Sequence, residues 1–369
     1  MIIGIDANEA NITHRAGVGQ FAFHILSSLA KLPSSHQFHL YLKDFPLPDL
    51  PPPKPNWHYH IFGPKKLWTK LALPLRLAFN HHHLDCFVSL SHYSPPFLTI
   101  PTIPTIHDLG YLSTPEQFTP QVYYQLKNWT AAAISRSSHL FAVSQFTKNE
   151  IHRIYHYPLS KISLVPNGVG DPPPISTSSV KSTLTKFRIN RPFILCLGTL
   201  KPSKNIPRFI TAFARFAKSN PRYQLVIAGK KGWLFDDIFL RVKKHHLEDK
   251  IIFTDYISES EKWSLLSTAT CLAIPSLYEG FGIPAVEAMK IGTPVLAANI
   301  PPLAEVIDRQ GVFVNPLSVS SIVLGLQKII SPTVQKNLRL SGPKQAGKYT
   351  WDSSALQLLT CLESLPDSR

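Results

Sequence analysis

Short runs of apolar and β-branched residues alternate with longer amphipathic segments along the chain. The run at 2–6 predicts a strand, and 19–32 predicts a helix because its apolar residues, from Phe21 to Leu29, recur at helical spacing. Further strand-like runs occupy 38–42, 86–90, 103–109, 140–144, 162–168, 193–200, 223–229, 250–257, 270–275 and 293–299. Strands separated by helix-length segments are typical of βαβ units and parallel sheets. The pattern therefore predicts an α/β fold.

The segment 168–179 interrupts this pattern with three consecutive prolines followed by Ser and Thr, which marks a linker. A chain of 369 residues also suits two domains of ordinary size. We therefore expect a first domain over 1–170, a linker over 171–180 and a second domain over 181–345. Two doubly wound sheets joined in this way would face each other, and ligands of such sheets bind beyond the carboxyl ends of the strands. The cleft between the two domains is the expected active site.

The strongest chemical signal is the sequence PSLYEGFGIPAVEAM at 275–289. Gly280 and Gly282 let the backbone approach a ligand closely, and the helix that follows offers free N–H groups to an anion. Glu279 stands at the mouth of this loop and Glu287 about one helical turn into the helix, and both can accept hydrogen bonds from sugar or ribose hydroxyls. The alternative interpretation is a tight strand-to-helix turn with one solvated and one capping Glu.

This motif resembles the donor site of glycosyltransferase family 4, retaining enzymes of the GT-B fold whose two Glu lie eight positions apart, as Glu279 and Glu287 do. Other segments resemble the same family, in the same order and over nearly the whole chain: 4–21, 105–118, 143–151, 165–169, 197–213, 227–233 and 349–355. The pattern is similar to that of mannosyltransferases of surface-polysaccharide assembly. The resemblance implies two Rossmann-like domains facing across a cleft, with a C-terminal helix over 346–369 that returns to the first domain.

The implied activity is the retaining transfer of a hexose, with mannose favoured, from a nucleotide-diphosphate sugar to a glycan or a lipid-linked acceptor. In the second domain, Glu279 would bind the hydroxyls of the transferred sugar near the reaction centre, and Glu287 would take the ribose hydroxyls. Lys204 would neutralise the leaving diphosphate. The N–H groups that would hold the sugar or the diphosphate belong to Gly280, Phe281 and Gly282.

Two positions near the implied diphosphate site depart from the family pattern. Where the family often carries Arg, just before the Lys and just after the first Gly of 197–213, this chain has Ser203 and Thr199. Lys201 and Lys230 are the nearby candidates for a second cation. We therefore predict that Thr199 and Lys230 bind the donor. One interpretation of the missing arginines is that this chain holds the phosphates with residues other than those of the family.

In the first domain, the resemblance implies that His107 reaches the donor sugar and phosphate and takes part in transfer. Gly17 and Gly19 would let the N-terminal loop approach the diphosphate. The alternative for His107 is a strand-end histidine that its neighbour Asp108 satisfies, which is a common arrangement.

The chemistry of such a donor needs positive charge rather than a metal or a cofactor. As the glycosidic bond breaks, negative charge develops on the β-phosphate, and N–H groups with one or two Lys stabilise it. A glycosidase would need two carboxyls flanking the scissile bond, which the phosphate-type loop between the two Glu disfavours. The sequence has no Asp-x-Asp motif, and the adjacent histidines 81–83 point in different directions. We expect no metal and no cofactor beyond the donor substrate.

The formal charge of +15 calls for an explanation, and residues 181–250 hold 16 Lys or Arg against four acids. A solvated basic surface, an anionic lipid surface and nucleic acid are the three candidates, and no nucleic-acid motif supports the last. The segment 65–79 mixes four cations with Leu, Trp and Phe. It fits a peripheral contact with an anionic membrane, with Trp68 at the interface. It fits equally a helix packed on the first sheet.

The remaining sequence features favour a cytoplasmic protein, with a peripheral place on the inner face of the membrane left open. No run of about 18 apolar residues occurs, the N-terminus lacks a basic signal-peptide region, and four cysteines lie far apart. Two other functions stay open beside transfer to a glycan. One is a synthase of the same fold acting on a soluble sugar, and the other is a non-catalytic nucleotide-sugar binding protein.

Overall fold

The computed structural model describes residues 1–15, 17–79 and 83–365, and the chain divides into two compact units. The first unit comprises Met1–Gly168 and Thr350–Arg369, and the second comprises Val169–Tyr349. Ala16 of the N-terminal loop, and His81 and His82 of the histidine run, lie outside the described residues. Each unit is built on one parallel sheet, which confirms the predicted α/β class.

The sheet of the first unit has the strand order β3-β2-β1-β4-β5-β6-β7 in the described part of the chain. Its strands are β1 (Ile2–Asp6), β2 (Gln37–Leu42), β3 (Trp57–Ile61), β4 (Cys86–Ser89), β5 (Thr102–Ile106), β6 (Leu140–Ala142) and β7 (Ile162–Leu164). Its helices up to this point are α1 (Val18–Leu29), α2 (Leu73–Ala78), α3 (Gly110–Ser113), α4 (Pro120–Arg136) and α5 (Gln145–Tyr155). The strand order reverses between β1 and β4, so a crevice opens beyond the carboxyl ends of these two strands.

The sheet of the second unit has the order β10-β9-β8-β11-β12-β13 among the described residues. Its strands are β8 (Phe193–Leu197), β9 (Gln224–Ala228), β10 (Ile251–Asp255), β11 (Cys271–Ile274), β12 (Val295–Ala298) and β13 (Val312–Val314). Its helices are α6 (Thr177–Lys186), α7 (Ile206–Ser219), α8 (Asp236–Lys244), α9 (Glu259–Thr268), α10 (Ile283–Lys290), α11 (Pro301–Ile307), α12 (Val319–Ile329) and α13 (Pro332–Ala346). Here the order reverses between β8 and β11, which places a second crevice at their carboxyl ends.

Most strands are buried on both faces, which explains why they are continuous apolar runs in the sequence. Two strands at the edges of the sheets, β3 and β13, have no counterpart among the predicted strands. The irregular part of the predicted linker is also shorter than 171–180, because α6 begins at Thr177. The Ser176 hydroxyl accepts a hydrogen bond from the Ser179 N–H at 3.0 Å and caps this helix.

The segment 65–79 is only partly what the sequence predicts. Trp68 is buried, and its indole N–H donates to the Phe62 carbonyl at 3.0 Å, so the prediction that this Trp lies at a membrane interface is wrong. A π-helical turn, Trp68–Ala72, precedes α2 and sets which side chains face inward. The apolar side chains that remain exposed belong to Leu67, Leu71, Leu75 and Phe79. No helix in the described parts of the chain has the length and apolar character needed to cross a membrane.

The last helix, α14 (Trp351–Ser364), belongs to the first unit and packs on α1. Its first turn is capped by the Thr350 hydroxyl, which accepts from the Ser353 N–H at 3.2 Å. The Trp351 ring stacks on His24 of α1, with ring centroids 4.8 Å apart. A Cβ added to Gly168 would lie 2.2 Å from the Trp351 nitrogen, so only glycine permits this approach of the two segments.

Packing of α14 is tested by two leucines of the same helix. Leu358 is 1% exposed and Leu356 is 54% exposed. We expect Leu358→Ala to lower the free energy of unfolding of the first unit by about 3 kcal/mol, because a buried leucine leaves a cavity. Leu356→Ala should change it by less than about 0.5 kcal/mol. Denaturant titration measures both, and equal effects would show that α14 does not pack as described.

Candidate functional site

The crevice of the second unit brings together two loops that are far apart in the sequence. One loop follows β8 and contains Lys204, and the other follows β11 and contains Glu279. The backbone N–H of Leu277 donates to the carbonyl of Ser203 at 2.8 Å. Asn205 holds the same junction, because its side-chain amide donates to the Pro275 carbonyl at 2.9 Å. The two loops are therefore fixed to each other by hydrogen bonds.

An ion pair between Lys204 and Glu279 lies at the centre of this crevice. The Lys204 ammonium is 2.7 Å from Glu279 Oε1, and the two side chains are 17% and 14% exposed. The Ser276 hydroxyl donates to the same oxygen at 2.6 Å. Burial alone would raise the pKa of Glu279, but Lys204 and the Ser276 hydrogen bond outweigh burial and hold the pKa below its ordinary value. Glu279 is thus an ionised acceptor at neutral pH.

The loop 280–282 has the geometry that the sequence predicts for close approach to a ligand. Gly282 has a φ of 103°, a left-handed value that side chains rarely adopt, and it directly precedes α10. Phe281 is 4% exposed, and its ring packs edge-on against Tyr349 with centroids 5.4 Å apart. Among the described residues, the N–H groups of Phe281 and Gly282 have no hydrogen-bond partner. These groups, at a helix N-terminus, are available to an anion.

Glu287 is a buried member of α10, and the structure gives it a partner that the sequence did not indicate. The Lys262 ammonium, on α9, is 2.5 Å from Glu287 Oε1 and 2.8 Å from Glu259 Oε2. Burial raises the pKa of Glu287, and Lys262 opposes this effect. Burial would lower the pKa of Lys262, but the carboxylates of Glu287 and Glu259 raise it above its ordinary value. The pair fixes the position of the Glu287 side chain on α10.

Thr199 and Lys230 lie on neighbouring loops after β8 and β9. The N–H of Leu200 donates to the carbonyl of Lys230 at 3.0 Å, so the backbone of Lys230 is fixed while its side chain is exposed. A Cβ on Gly232 would lie 2.8 Å from the Thr199 methyl group, which places Thr199 against this second loop. Lys201 contributes a positive field at Glu279. The role of Thr199 and Lys230 in donor binding stays a prediction.

Three residues of this site were not found from the sequence: Ser276, Asn205 and Lys262. Ser276 lies in the motif at 275–289 and Asn205 in the segment 197–213, where it directly follows Lys204. Lys262 lies on a helix of unremarkable sequence, 25 positions from Glu287. Its neighbour Glu261 belongs to the capping box that begins α9 at Ser258, but that motif marks a helix start and not a binding residue.

The predicted residues of the first unit lie near the carboxyl end of its sheet. His107 directly follows β5, its Nε2 is 3.1 Å from the Leu90 carbonyl, and its ring packs edge-on against Phe21. Burial lowers the pKa of His107, so it is neutral at pH 7. Asp108 accepts from the Gly110 N–H at 2.8 Å. The hydrogen bond of His107 thus goes to Leu90, while the charge of Asp108 acts on the histidine by opposing the lowering of its pKa. The role of His107 in transfer stays a prediction.

The N-terminal glycines differ in their surroundings. Gly17 has a φ of 47° and immediately precedes α1, and a Cβ there would meet nothing within 4 Å. Gly19 is buried in the first turn of α1, where a Cβ would lie 3.0 Å from the Glu9 carbonyl. Gly17 thus leaves open space beside the helix N-terminus, whereas Gly19 serves close packing of the loop.

His92 is a second histidine at this edge of the sheet, beyond β4. Its Nε2 is buried and has no hydrogen-bond partner within the described ranges. Burial, and after it the nearby His107, lower the pKa of His92 to about 3. His92 was not among the predicted site residues, and its position after a strand was its one visible feature in the sequence.

Comparisons with known proteins concern the family and the fold of the chain. A family model described as Glycosyltransferase Family 4 matches residues 15–171, and one described as Glycosyl transferases group 1 matches residues 184–343. The chain is 26% identical over 267 residues to O-antigen chain mannosyltransferase B of Escherichia coli, covering 71% of this chain and 70% of that protein. It is 31% identical over 246 residues to O-antigen chain mannosyltransferase RfbU of Salmonella typhimurium, covering 67% of this chain and 64% of that protein, which is less than two thirds of its length.

The fold has a counterpart among solved structures. The structure of Alr3699/HepE from Anabaena in complex with UDP superposes with a TM-score of 0.73 at 16% identity, over 99% of this chain and 100% of that one. The two family models follow each other in chain order and together match most of both units. The chain therefore belongs to glycosyltransferase family 4, with the two Rossmann-like sheets of the GT-B fold.

Proposed function

We propose that this protein is a retaining glycosyltransferase that moves a hexose, with mannose favoured, from a nucleotide-diphosphate sugar to a glycan or lipid-linked acceptor. The observation that carries the proposal is the Lys204–Glu279 pair beside the N–H groups of Phe281 and Gly282, which have no hydrogen-bond partner among the residues that the structure describes. A cation, oriented N–H donors and an ionised carboxylate together match a sugar diphosphate. The names of two relatives, both O-antigen mannosyltransferases, support mannose and a glycan acceptor.

Each part of the site then has one task in the reaction. Transfer breaks the bond between the anomeric carbon and the β-phosphate oxygen, and the departing diphosphate gains negative charge. Lys204 and the N–H groups of loop 280–282 stabilise that charge, and because they are already oriented they need little rearrangement. Glu279 accepts hydrogen bonds from the sugar hydroxyls, and Glu287 takes the ribose hydroxyls. A relative of the same fold was solved with UDP, which supports a nucleotide at such a site.

A peripheral contact with an anionic membrane is part of this proposal. Leu67, Leu71, Leu75 and Phe79 are between 51% and 78% exposed. Lys65, Lys66, Lys70 and Arg76 interleave with them along the same segment. Exposed apolar side chains among cations favour an anionic lipid surface. We propose a cytoplasmic protein that contacts the inner face of the membrane through this segment.

We also propose that transfer has no obligatory metal, because Lys204 and the helix N-terminus supply the positive charge. The described residues contain no group of three or more His, Cys, Asp or Glu side chains placed to hold a metal ion. We expect the initial rate of transfer to be the same in EDTA as in magnesium or manganese. A rate that falls in EDTA and returns with one of these ions would contradict this.

Variants of the central pair test the proposed site. We expect Glu279→Ala and Lys204→Ala each to lower turnover about a hundredfold, because each loses a charged group that acts on the reacting sugar diphosphate. Lys218→Ala, an exposed lysine on α7, is the control for a lost charge. Thermal denaturation of each variant separates lost chemistry from lost fold. Rates near that of the parent in both site variants would remove this assignment.

The donor for these assays is identified by a thermal-shift screen with GDP, UDP, dTDP and ADP sugars. A ligand at about 100 times its dissociation constant adds about 2.7 kcal/mol to stability. A protein that binds one of these donors yet transfers no sugar to any glycan would be a binding protein.

His107 separates transfer from donor binding. It belongs to the first unit, whereas the proposed donor groups belong to the second. We expect His107→Ala to bind the intact nucleotide sugar with little loss of affinity but to lose most of the transfer rate. His152→Ala, an exposed histidine of the same unit, should behave like the parent protein. Calorimetry beside a transfer assay measures both, and an equal loss of affinity and rate would make His107 a binding group instead.

A further inference from the structure

A cavity of about 740 Å³ opens on the first unit, and none of the residues assigned to the donor lines it. Asp6 at the end of β1, and Tyr93, Ser94 and Phe97 after β4, form one side of it. Residues of α4 and of the segment before α2 close the other side. The cavity thus lies at the point where the strand order of the first sheet reverses, which is where α/β sheets bind ligands. Its volume suits a small ligand of one or two sugar units.

Two acids and a phenol line the inner part of the cavity. Asp6 is 9% exposed and accepts hydrogen bonds from the N–H and the side chain of Asn8. The Glu9 carboxylate has no hydrogen bond or ion pair with any residue that the structure describes. The pKa of Glu9 is raised by burial and, to a smaller extent, by the charge of Asp6. The pKa of Tyr93 is raised by burial and, to a smaller extent, by the charge of Glu9. These groups lie close enough to interact, and together they offer acceptors for several hydroxyl groups.

Four cations surround the mouth: Lys43, Lys65, Lys70 and Arg136. Lys65 pairs with Asp44, and the Lys70 ammonium lies 4.0 Å from the centroid of the Trp129 ring. The side chains of Lys43 and Arg136 make no hydrogen bond or ion pair within the described part of the chain, and the charge of Lys43 partly opposes the raised pKa of Asp6 and of Glu9. With Asp44 counted beside Asp6 and Glu9, four cations face three acids, which leaves a small positive balance at the mouth. Guanidinium and ammonium groups in such a position bind a phosphate.

Apolar surface completes the lining. Trp129 and Tyr93 both line the cavity and pack edge to face with ring centroids 5.5 Å apart. Leu67 and Phe97, also in the lining, are 53% and 90% exposed and have φ values of 56° and 61°. Bulky side chains in this left-handed region are rare and occur at ligand clamps. An apolar edge therefore continues from the cavity to the exposed leucines of the segment 65–79.

We propose that this cavity binds the acceptor through a hydroxyl-rich group that carries a phosphate. The hydroxyls meet Asp6, Glu9 and Tyr93, a sugar ring lies against Trp129, and the phosphate meets Lys43 and Arg136. The assignment rests on the proposed transferase function and specifies its acceptor as a sugar phosphate, either free or joined to a lipid. The apolar edge favours the lipid-joined form, because the hydrocarbon chain of the lipid could pack against this edge where it extends out of the cavity.

Calorimetry with three soluble probes tests the shared chemistry: mannose 1-phosphate, methyl α-mannoside and inorganic phosphate. We expect mannose 1-phosphate to bind more tightly than either of the others. Lys43→Ala combined with Arg136→Ala should weaken it about tenfold or more, as the loss of charge-assisted hydrogen bonds does. Trp129→Ala should weaken mannose 1-phosphate and methyl α-mannoside alike. Tyr124→Ala, an exposed aromatic on the same helix α4, is the matched control and should change nothing.

Vesicles distinguish the two sources of the sugar phosphate. Phosphatidylcholine vesicles with polyprenyl phosphomannose should retain the parent protein more strongly than plain vesicles, and the Lys43 and Arg136 double variant should lose that difference. Binding of the soluble probe without retention on these vesicles would assign the cavity to a free sugar phosphate. Unchanged binding of mannose 1-phosphate in all cavity variants, or its loss in Glu279→Ala alone, would overturn the proposal.

The same samples report separately on the proposed donor site. UDP and GDP thermal shifts depend on the second unit and should persist in the cavity variants. Their absence from the parent protein would contradict the donor assignment, whatever mannose 1-phosphate does.

Discussion

The site of the second unit depends on a charge pair that has been taken largely out of water. Removing Lys204 and Glu279 from solvent has a desolvation cost that the attraction between them only partly offsets, so such a pair is a weak source of stability. What the pair provides is position. Each charged group is held at the end of a different strand, and Ser276 fixes the carboxylate from a third direction. Groups oriented before a ligand arrives are the ones that stabilise developing charge most effectively.

The backbone around this pair explains why it can stay in place. Asn205 has a left-handed φ of 57° and donates to two carbonyls, of Pro275 and of Pro316, at 2.9 and 2.8 Å. A Cβ on Gly229 would lie 2.1 Å from the Gly198 carbonyl oxygen, so only glycine lets the loops after β8 and β9 run side by side. The crevice therefore has walls of fixed loops rather than of flexible side chains alone.

Much of this architecture could be predicted from the sequence because burial on both faces turns parallel strands into continuous apolar runs. The strands that were missed are edge strands. In β3, histidines alternate with aromatic residues on a half-exposed strand, and β13 has only three residues. Trp68 was assigned to the wrong environment because a π-helical turn alters the spacing on which a helical pattern relies. Such a turn leaves no mark in the hydrophobic pattern.

The functional residues divide in the same way. Glu279 and Lys204 stand in motifs whose glycines and prolines reveal the local backbone, so their importance was visible in the sequence. Lys262 and His92 owe their surroundings to neighbours that only the folded chain brings close, and Glu9 and Lys43 line a shared cavity only when β1 and β2 lie side by side. Residues whose role depends on contacts between distant segments cannot be found from local spacing.

The pairing of Lys204 with Glu279 also has a consequence for which ligands the site selects. Because the lysine already has a counterion, a free phosphate that approaches it must compete with a carboxylate fixed 2.7 Å away. A simple polyol must likewise compete with Lys204 for the carboxylate of Glu279, because the lysine is already paired with it. Only a molecule that brings an anion and hydroxyl groups together can replace both halves of the pair at once. If the site binds the proposed donor, the ion pair therefore disfavours a phosphate or a sugar that arrives alone.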